Sequence, residues 1–349
     1  MKMKKKRVLM VGSAEESGGG VASVIRLMKK MPFWREWRCG WLGTQIQRNY
    51  LWKMWYALKA AIVAPFVIWK YDIVHFHTVP DRNGLLIQLP ELVWAKLYRK
   101  KVVVQIHMGN QLEYHTGNSF FIWWTRRADL LVFLAKRWEK LFKEKYSCVD
   151  VKTAVLYNAC DDVPEVDMNK KEKSIIMAAY FNDNKAPDVL LKAWQKIKER
   201  FPDWKVTMMG NGEVERFRQM AHDMSLDDSV KFTGYITGVE KRTVWEKASV
   251  YCMCSYNEGF PMVALEAWAQ GVALVTTPVG GLPDVIEEGR NCLTFPFGNA
   301  EMLADRLERL IQNEALRLDM AEYSRNFVHE KFSLENINAV VSKMYLFCI

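Results

Sequence analysis

Val250-Tyr251-Cys252-Met253-Cys254-Ser255-Tyr256-Asn257-Glu258-Gly259-Phe260-Pro261-Met262-Val263-Ala264-Leu265-Glu266 reads as a strand, a turn and a helix in succession. Its first six residues are apolar enough for a strand buried on both faces, as in a parallel sheet. Pro261 suits the first turn of the helix that follows, where its fixed φ is already helical and its missing N–H would be unbonded anyway. In open α/β sheets ligands bind at the carboxyl ends of strands, where such turns lie. The amides around Gly259, Phe260, Pro261, Met262 and Val263, together with the positive end of the helix dipole, make this turn a seat for a phosphate. Glu258 and Glu266 bracket it and would repel a phosphate. Carboxylates instead accept strong hydrogen bonds from neutral donors such as sugar hydroxyls.

The same rhythm extends in both directions. Apolar runs at 174–179, 204–209 and 272–276 accompany 250–254, separated by helical stretches such as 187–200 and 214–224. An earlier series at 7–12, 72–77, 102–106 and 130–134 repeats it in the first half. The pattern predicts α/β architecture with two Rossmann-like, doubly wound domains, and 349 residues exceed one ordinary core. Residues 158–173 are polar and aperiodic, as a linker should be. The expected divisions are 1–160, 161–325 and a helical tail at 326–349 that packs back on the first domain. The last helix of that tail starts with Ser333 as its N-cap and Glu335 in its first turn.

Charge separates the two halves. Residues 1–160 carry 27 Lys and Arg against 11 Asp and Glu, whereas the remainder carries 22 against 29. Ten of the fourteen tryptophans also precede residue 160. Basic charge combined with tryptophan is the composition of a surface that rests on anionic lipid headgroups. Residues 51–69 hold sixteen apolar residues in nineteen, interrupted by Lys53, Lys59 and Pro65. Those interruptions oppose a spanning helix and leave a partly buried helix or one lying in the membrane plane.

The remaining candidates also fall at strand ends. Gly18-Gly19-Gly20 follows the first strand and Gly210-Asn211-Gly212 follows the run at 204–209; either is a phosphate-approaching turn or an ordinary flexible one. Gly280-Gly281 forms a further strand-to-helix turn. His107, His77 and His75 end strands, and an imidazole there can bond or exchange protons with a substrate. Gly109 and Asn110 follow His107 on the same edge and are acceptor-side candidates with His77. Lys185, just before a helix in the second domain, is either an ordinary surface lysine or, from its place at the sheet's ligand edge, a contact for a diphosphate. The seven cysteines are scattered, odd in number and without a C-x-x-C pair, so neither a disulfide framework nor a zinc site is expected.

Taken in order, these residues resemble the retaining glycosyltransferases of family 4, whose GT-B architecture sets two facing Rossmann-like domains around a ligand cleft. The resemblance is carried by Lys185-Ala186, Met209-Gly210-Asn211-Gly212, Phe232-Thr233-Gly234-Tyr235, Glu258-Gly259-Phe260 with Glu266 eight positions on, Gly271 and Gly280-Gly281. It implies a nucleotide-diphosphate sugar as co-substrate. Glu258 would then meet hydroxyls of the transferred sugar, Glu266 the ribose, and the amides of 260–263 the diphosphate. Lys185 would stabilise the leaving phosphate, the turn with Gly19 and Gly20 would close over donor and acceptor, and His107 would contact the transferred sugar. No metal or other cofactor is implied. Where the family has Gly-Arg before its lysine, this chain has Ala179-Tyr180, one cation fewer.

The function expected is metal-independent, retaining transfer of a sugar to a saccharide acceptor, lipid-linked in surface polysaccharide or glycolipid synthesis. The expected location is the cytoplasmic face of the cell membrane. The alternatives are a sugar-nucleotide epimerase or phosphorylase on the same architecture, and a basic nucleic-acid-binding protein. The last lacks a reader motif, so no nucleic acid is expected as partner.

Overall fold

Twelve strands, all joined in parallel, make two six-stranded sheets in the computed structural model, which describes residues 6–109, 111–114, 118–161 and 165–348. The first sheet contains β1 (Val8–Ser13), β2 (Gly40–Gln45), β3 (Ile73–Thr78), β4 (Lys101–Ile106), β5 (Leu130–Phe133) and β6 (Thr153–Val155), in the order β2-β1-β3-β4-β5-β6. The second contains β7 (Ser174–Ala178), β8 (Lys205–Met209), β9 (Val230–Gly234), β10 (Val250–Met253), β11 (Ala273–Thr276) and β12 (Leu293–Thr294), in the order β12-β11-β10-β7-β8-β9. The chain divides accordingly into one unit of Met1–Asp161 with Phe332–Ile349 and a second of Asp162–Lys331.

Each sheet reverses its winding direction once. In the first the reversal lies between β1 and β3, and in the second between β7 and β10. Such a switch point leaves a crevice above the strand ends, because the helices that follow the two strands go to opposite faces. Most interior strands are buried throughout; β1, β3, β5, β10 and β11 have no residue that reaches solvent appreciably, while β4, β7 and β8 expose residues chiefly at their ends. Helices cover both faces of such a sheet, which is why these strands read as continuous apolar runs.

Eight apolar runs in the sequence correspond to eight strands within a residue or two. The four strands that carry no such run, β2, β6, β9 and β12, are the four sheet edges. They are only partly buried, so the burial that would enforce an apolar run is missing.

The chain's last helix, Leu334–Phe347, belongs to the first unit. Ser333 Oγ caps it by accepting from the Asn336 amide at 3.3 Å. Its buried Val341 and Tyr345 pack inward, and Asn338 Oδ1 accepts from the Phe33 amide at 2.8 Å. All seven cysteines are free thiols.

Candidate active site

In the second unit the turns that follow β7 and β10 carry the charged candidates. After β7, Asn182 Oδ1 accepts from the Lys185 amide at 3.0 Å, and Ala186 adopts a left-handed backbone with φ of 46°. That bend delivers the chain to Pro187, the first residue of the helix Pro187–Ile197. After β10, the Tyr256 amide donates to Asn184 O at 2.7 Å, and Asn184 Nδ2 donates to Asn257 O at 3.0 Å. The two turns are thus laced together through backbone groups. As a result Lys185 Nζ forms an ion pair with Glu258 Oε1, the same oxygen that accepts from Ser255 Oγ at 2.7 Å. The lysine side chain is 23% exposed and the glutamate side chain 13%, so water screens this pair far less than a surface pair.

Gly280 explains how the Glu258 turn is held. It has φ of +64°, and a Cβ there would lie 2.8 Å from the carbonyl oxygens of both Glu258 and Gly259. The next amide, Gly281 N–H, donates to Gly259 O at 2.7 Å. Phe260 buries its ring in the core, and Pro261 heads the helix Met262–Ala269 without a side-chain cap, so Met262 and Val263 lie in an uncapped first turn. Glu266, one turn further, pairs with Lys241 Nζ at 2.8 Å, both side chains being more than a third exposed.

Gly210 and Gly212 have a structural role that the sequence leaves open. Their φ angles are +149° and +100°, and a Cβ would meet Ala179 O at 1.7 Å or Phe181 O at 2.3 Å. The Gly210 amide donates to Gly234 O at 2.9 Å, so it is occupied within the fold. Tyr180, at the position of the missing arginine, is 55% exposed. Two further cations pair with carboxylates of these turns and helices, Lys241 with Glu266 and Arg216 with Asp183, each at 2.8 Å.

In the first unit Gly19 caps the helix Gly20–Lys30 with φ of +91°, and a Cβ there would touch the Gln47 side chain at 3.0 Å. His107 follows β4; its amide donates to Thr78 O at 2.9 Å, and its Nε2 lies 3.0 Å from His77 Nδ1. His77 Nε2 in turn faces Met10 Sδ at 3.4 Å, and His75 Nδ1 lies 2.7 Å from the Tyr345 hydroxyl. Burial pushes His75 and His107 down to about 3 and pushes His77 well below the ordinary imidazole range. Burial thus favours the neutral form of all three rings at neutral pH.

His77, expected on the acceptor side, is placed in the interior of the sheet. It has no exposed surface, because β3 is covered on both faces, and it sits behind His107. Gly109 is likewise required by packing, since a Cβ there would fall 2.2 Å from the Trp138 ring. Asn110 lies outside the described residues. Among the described residues no group of three or more His, Cys, Asp or Glu could hold one metal ion.

The structure brings Lys185, Glu258 and Ser255 together in the second unit and His77 and His107 together in the first. Sequence reasoning did not single out Ser255 or Lys241. Ser255 lies within the quoted stretch, three residues before Glu258. Lys241 comes from a separate helix, Gly238–Lys247, and no local pattern marks it.

Residues 161–327 match the family described as glycosyl transferases group 1. An uncharacterized glycosyltransferase of Haemophilus influenzae is 30% identical over 232 residues, covering 66% of this chain and 64% of that protein, less than two thirds of its length. A phosphatidyl-myo-inositol mannosyltransferase of Mycolicibacterium smegmatis is 24% identical over 284 residues, covering 79% of this chain and 71% of that protein. Among solved structures, Anabaena HepE in complex with UDP-glucose superposes with a TM-score of 0.78 over 97% of this chain and 99% of its own, at 15% identity. At that identity the likeness concerns fold alone: two Rossmann-like units of the GT-B class.

Proposed function

We propose, from the match of residues 161–327 to the glycosyl transferases group 1 family, that the chain transfers a sugar from a nucleotide-diphosphate donor to a saccharide acceptor. The observation that carries the reading is the Lys185–Glu258–Ser255 cluster at the switch point of the second sheet. Without donor, lysine and glutamate neutralise one another. A diphosphate seated at the first-turn amides of Met262–Ala269 competes for Lys185 and frees Glu258 Oε1 to accept from sugar hydroxyls. Glu266 exchanges Lys241 for ribose hydroxyls in the same way.

Catalysis then rests on fixed charge. As the bond between sugar and diphosphate breaks, negative charge grows on the departing phosphate, where the helix amides and the Lys185 released from Glu258 would meet it. Preorganised donors of this kind contribute several kcal/mol to lowering a barrier. His107, neutral and held from behind by His77, serves as a hydrogen-bond partner of the transferred sugar. In this reading the anomeric configuration is retained, and Lys185 and the helix-terminal amides meet the charge that a metal would otherwise meet.

The acceptor proposed is a lipid-linked saccharide in surface polysaccharide or glycolipid synthesis. The mycobacterial relative's name, which specifies a phosphatidyl-myo-inositol acceptor, supports it. The UDP-glucose in the Anabaena neighbour supports a nucleotide-diphosphate donor. A thermal-shift panel of nucleotide sugars identifies the donor, since a ligand at about one hundred times its Kd adds about 2.7 kcal/mol. Nucleotide release from that donor should require acceptor. Release that does not depend on acceptor would count against transfer, and full turnover by both Lys185→Ala and Glu258→Ala would overturn the site.

A further inference from the structure

The helix Tyr50–Ile68 is built inside out. A helix on a soluble sheet normally buries its large apolar residues and shows its small or polar ones. Here the buried positions are Ala60, Ala64 and Ile68. Leu51, Trp55, Leu58, Ile62, Phe66 and Trp69 are 55–76% exposed. Their spacings of four, three, four, four and three residues set them on one face, a stripe about 27 Å long at 1.5 Å per residue. The neighbouring helix Leu89–Leu97 extends the apolar surface with exposed Val93 and Leu97.

The charges carried by this helix and its flanks have one sign. Residues 44–71 contain Arg48, Lys53, Lys59 and Lys70 and no Asp or Glu. Three of these cations sit over aromatic rings bordering the stripe: Arg48 over Trp52 at 5.4 Å, Lys59 over Tyr56 at 5.9 Å and Lys70 over Trp69 at 6.0 Å. Lys100 joins them, its Nζ donating to Trp69 O at 2.8 Å. Glu15 and Glu16 lie near Tyr56 and Lys59; Glu15 pairs with Lys29, Glu16 accepts from the Tyr56 hydroxyl, and neither belongs to the stripe. Apolar side chains flanked by cations and amphipathic aromatics match the layering of a bilayer surface, with acyl chains below anionic headgroups.

We propose that this helix lies in the plane of an anionic membrane, with the stripe from Leu51 to Trp69 inserted and the flanking cations at headgroup level. By length and composition the helix could also cross a bilayer. Its inner face argues against crossing: Ala60, Ala64 and Ile68 have at most 1% of their surface exposed, in a helix that packs against β2 and Leu89–Leu97. Lipid would have to replace that packing. The occupant favoured is lipid rather than a second copy of the chain, because two such faces would set four or more cations against their own kind.

The inference does not rest on the sugar-transfer reading, and its test needs neither donor nor acceptor. Full-length protein is sedimented with vesicles of equal phosphatidylglycerol and phosphatidylcholine, and with phosphatidylcholine alone. Wild type should pellet with the anionic vesicles, and about tenfold less with neutral ones. Trp55→Glu with Phe66→Glu should weaken binding about tenfold or more while leaving the thermal midpoint in place, since both side chains project from the fold. Should that variant fail to fold, brominated lipid must quench tryptophan fluorescence of the wild type. Wild type remaining in the supernatant, unchanged sedimentation of the double variant, or absence of quenching would overturn the proposal. So would a wild-type dimer in light scattering that the double variant separates.

Discussion

The two units present opposite arrangements of the same architecture. In the second, charged groups meet at a sheet's switch point and are partly sheltered from water, with Lys185 against Glu258. In the first, the groups near the switch point are buried neutral imidazoles, and an exposed helix carries a long apolar face. The second unit shelters a charged pair at its ligand edge, while the first combines a buried interior with a surface that water does not suit. Similar folds thus carry different physics, because fold fixes where strand ends fall and leaves open which residues occupy them.

The sharpest way to break this contrast is at the charged cluster. Lys185→Ala and Glu258→Gln should each lower kcat by about a hundredfold to a thousandfold, with thermal midpoints little changed, measured by acceptor-dependent nucleotide release. Loss of activity only through unfolding would show the cluster to be structural. Gly280→Ala should come next. Its +64° backbone and 2.8 Å approach to two carbonyl oxygens predict a loss of about 1–3 kcal/mol in urea unfolding, together with weaker donor binding.

Acid should act on the first unit. Each histidine held neutral has a folded pKa below its unfolded value, so the unfolded chain takes up protons first and stability falls as pH drops below about 6.5. For a group near 3, such as His75 or His107, this amounts to about 2 kcal/mol by pH 5. Glu91 works the other way. Burial raises it to about 7, so acidification returns stability between there and its ordinary value. A net fall in thermal midpoint from pH 7 to pH 5, reduced in His75→Phe, is the expected result; a flat profile would mean that these rings are not held neutral. Lys241→Ala should show the smallest effect. Its exposed pair with Glu266 contributes under about 1 kcal/mol to stability, and the donor KM should rise a few-fold with kcat maintained.

How far the sequence carried depends on burial. Interior strands such as β4 and β10 were legible because burial on both faces forces a continuous apolar run. The edge strands β2, β6, β9 and β12 left no such trace. The stretch at 250–266 identified Glu258 and its turn, but Ser255 and Lys241 came into view only with the geometry. Gly210 and Gly212 could be read as ligand-approaching or as packing residues; backbone contacts below 3 Å supply a packing reason. His107 and His77 were read as separate candidates, and the structure joins them by a 3.0 Å contact within the buried interior.

Composition, periodicity and motif order by themselves determined two doubly wound α/β units, a basic tryptophan-rich first half, and a strand-turn-helix bracketed by Glu258 and Glu266. These are properties of one chain segment at a time, set by local backbone preference and by the need to bury apolar runs. Only tertiary structure decided that Lys185 and Glu258, 73 positions apart, share a charge, that His107 is neutral, and that Tyr50–Ile68 turns its large side chains outward. Ion pairing, desolvation and the facing of a helix depend on which distant segments come to lie against a residue, and no short window of sequence contains that information.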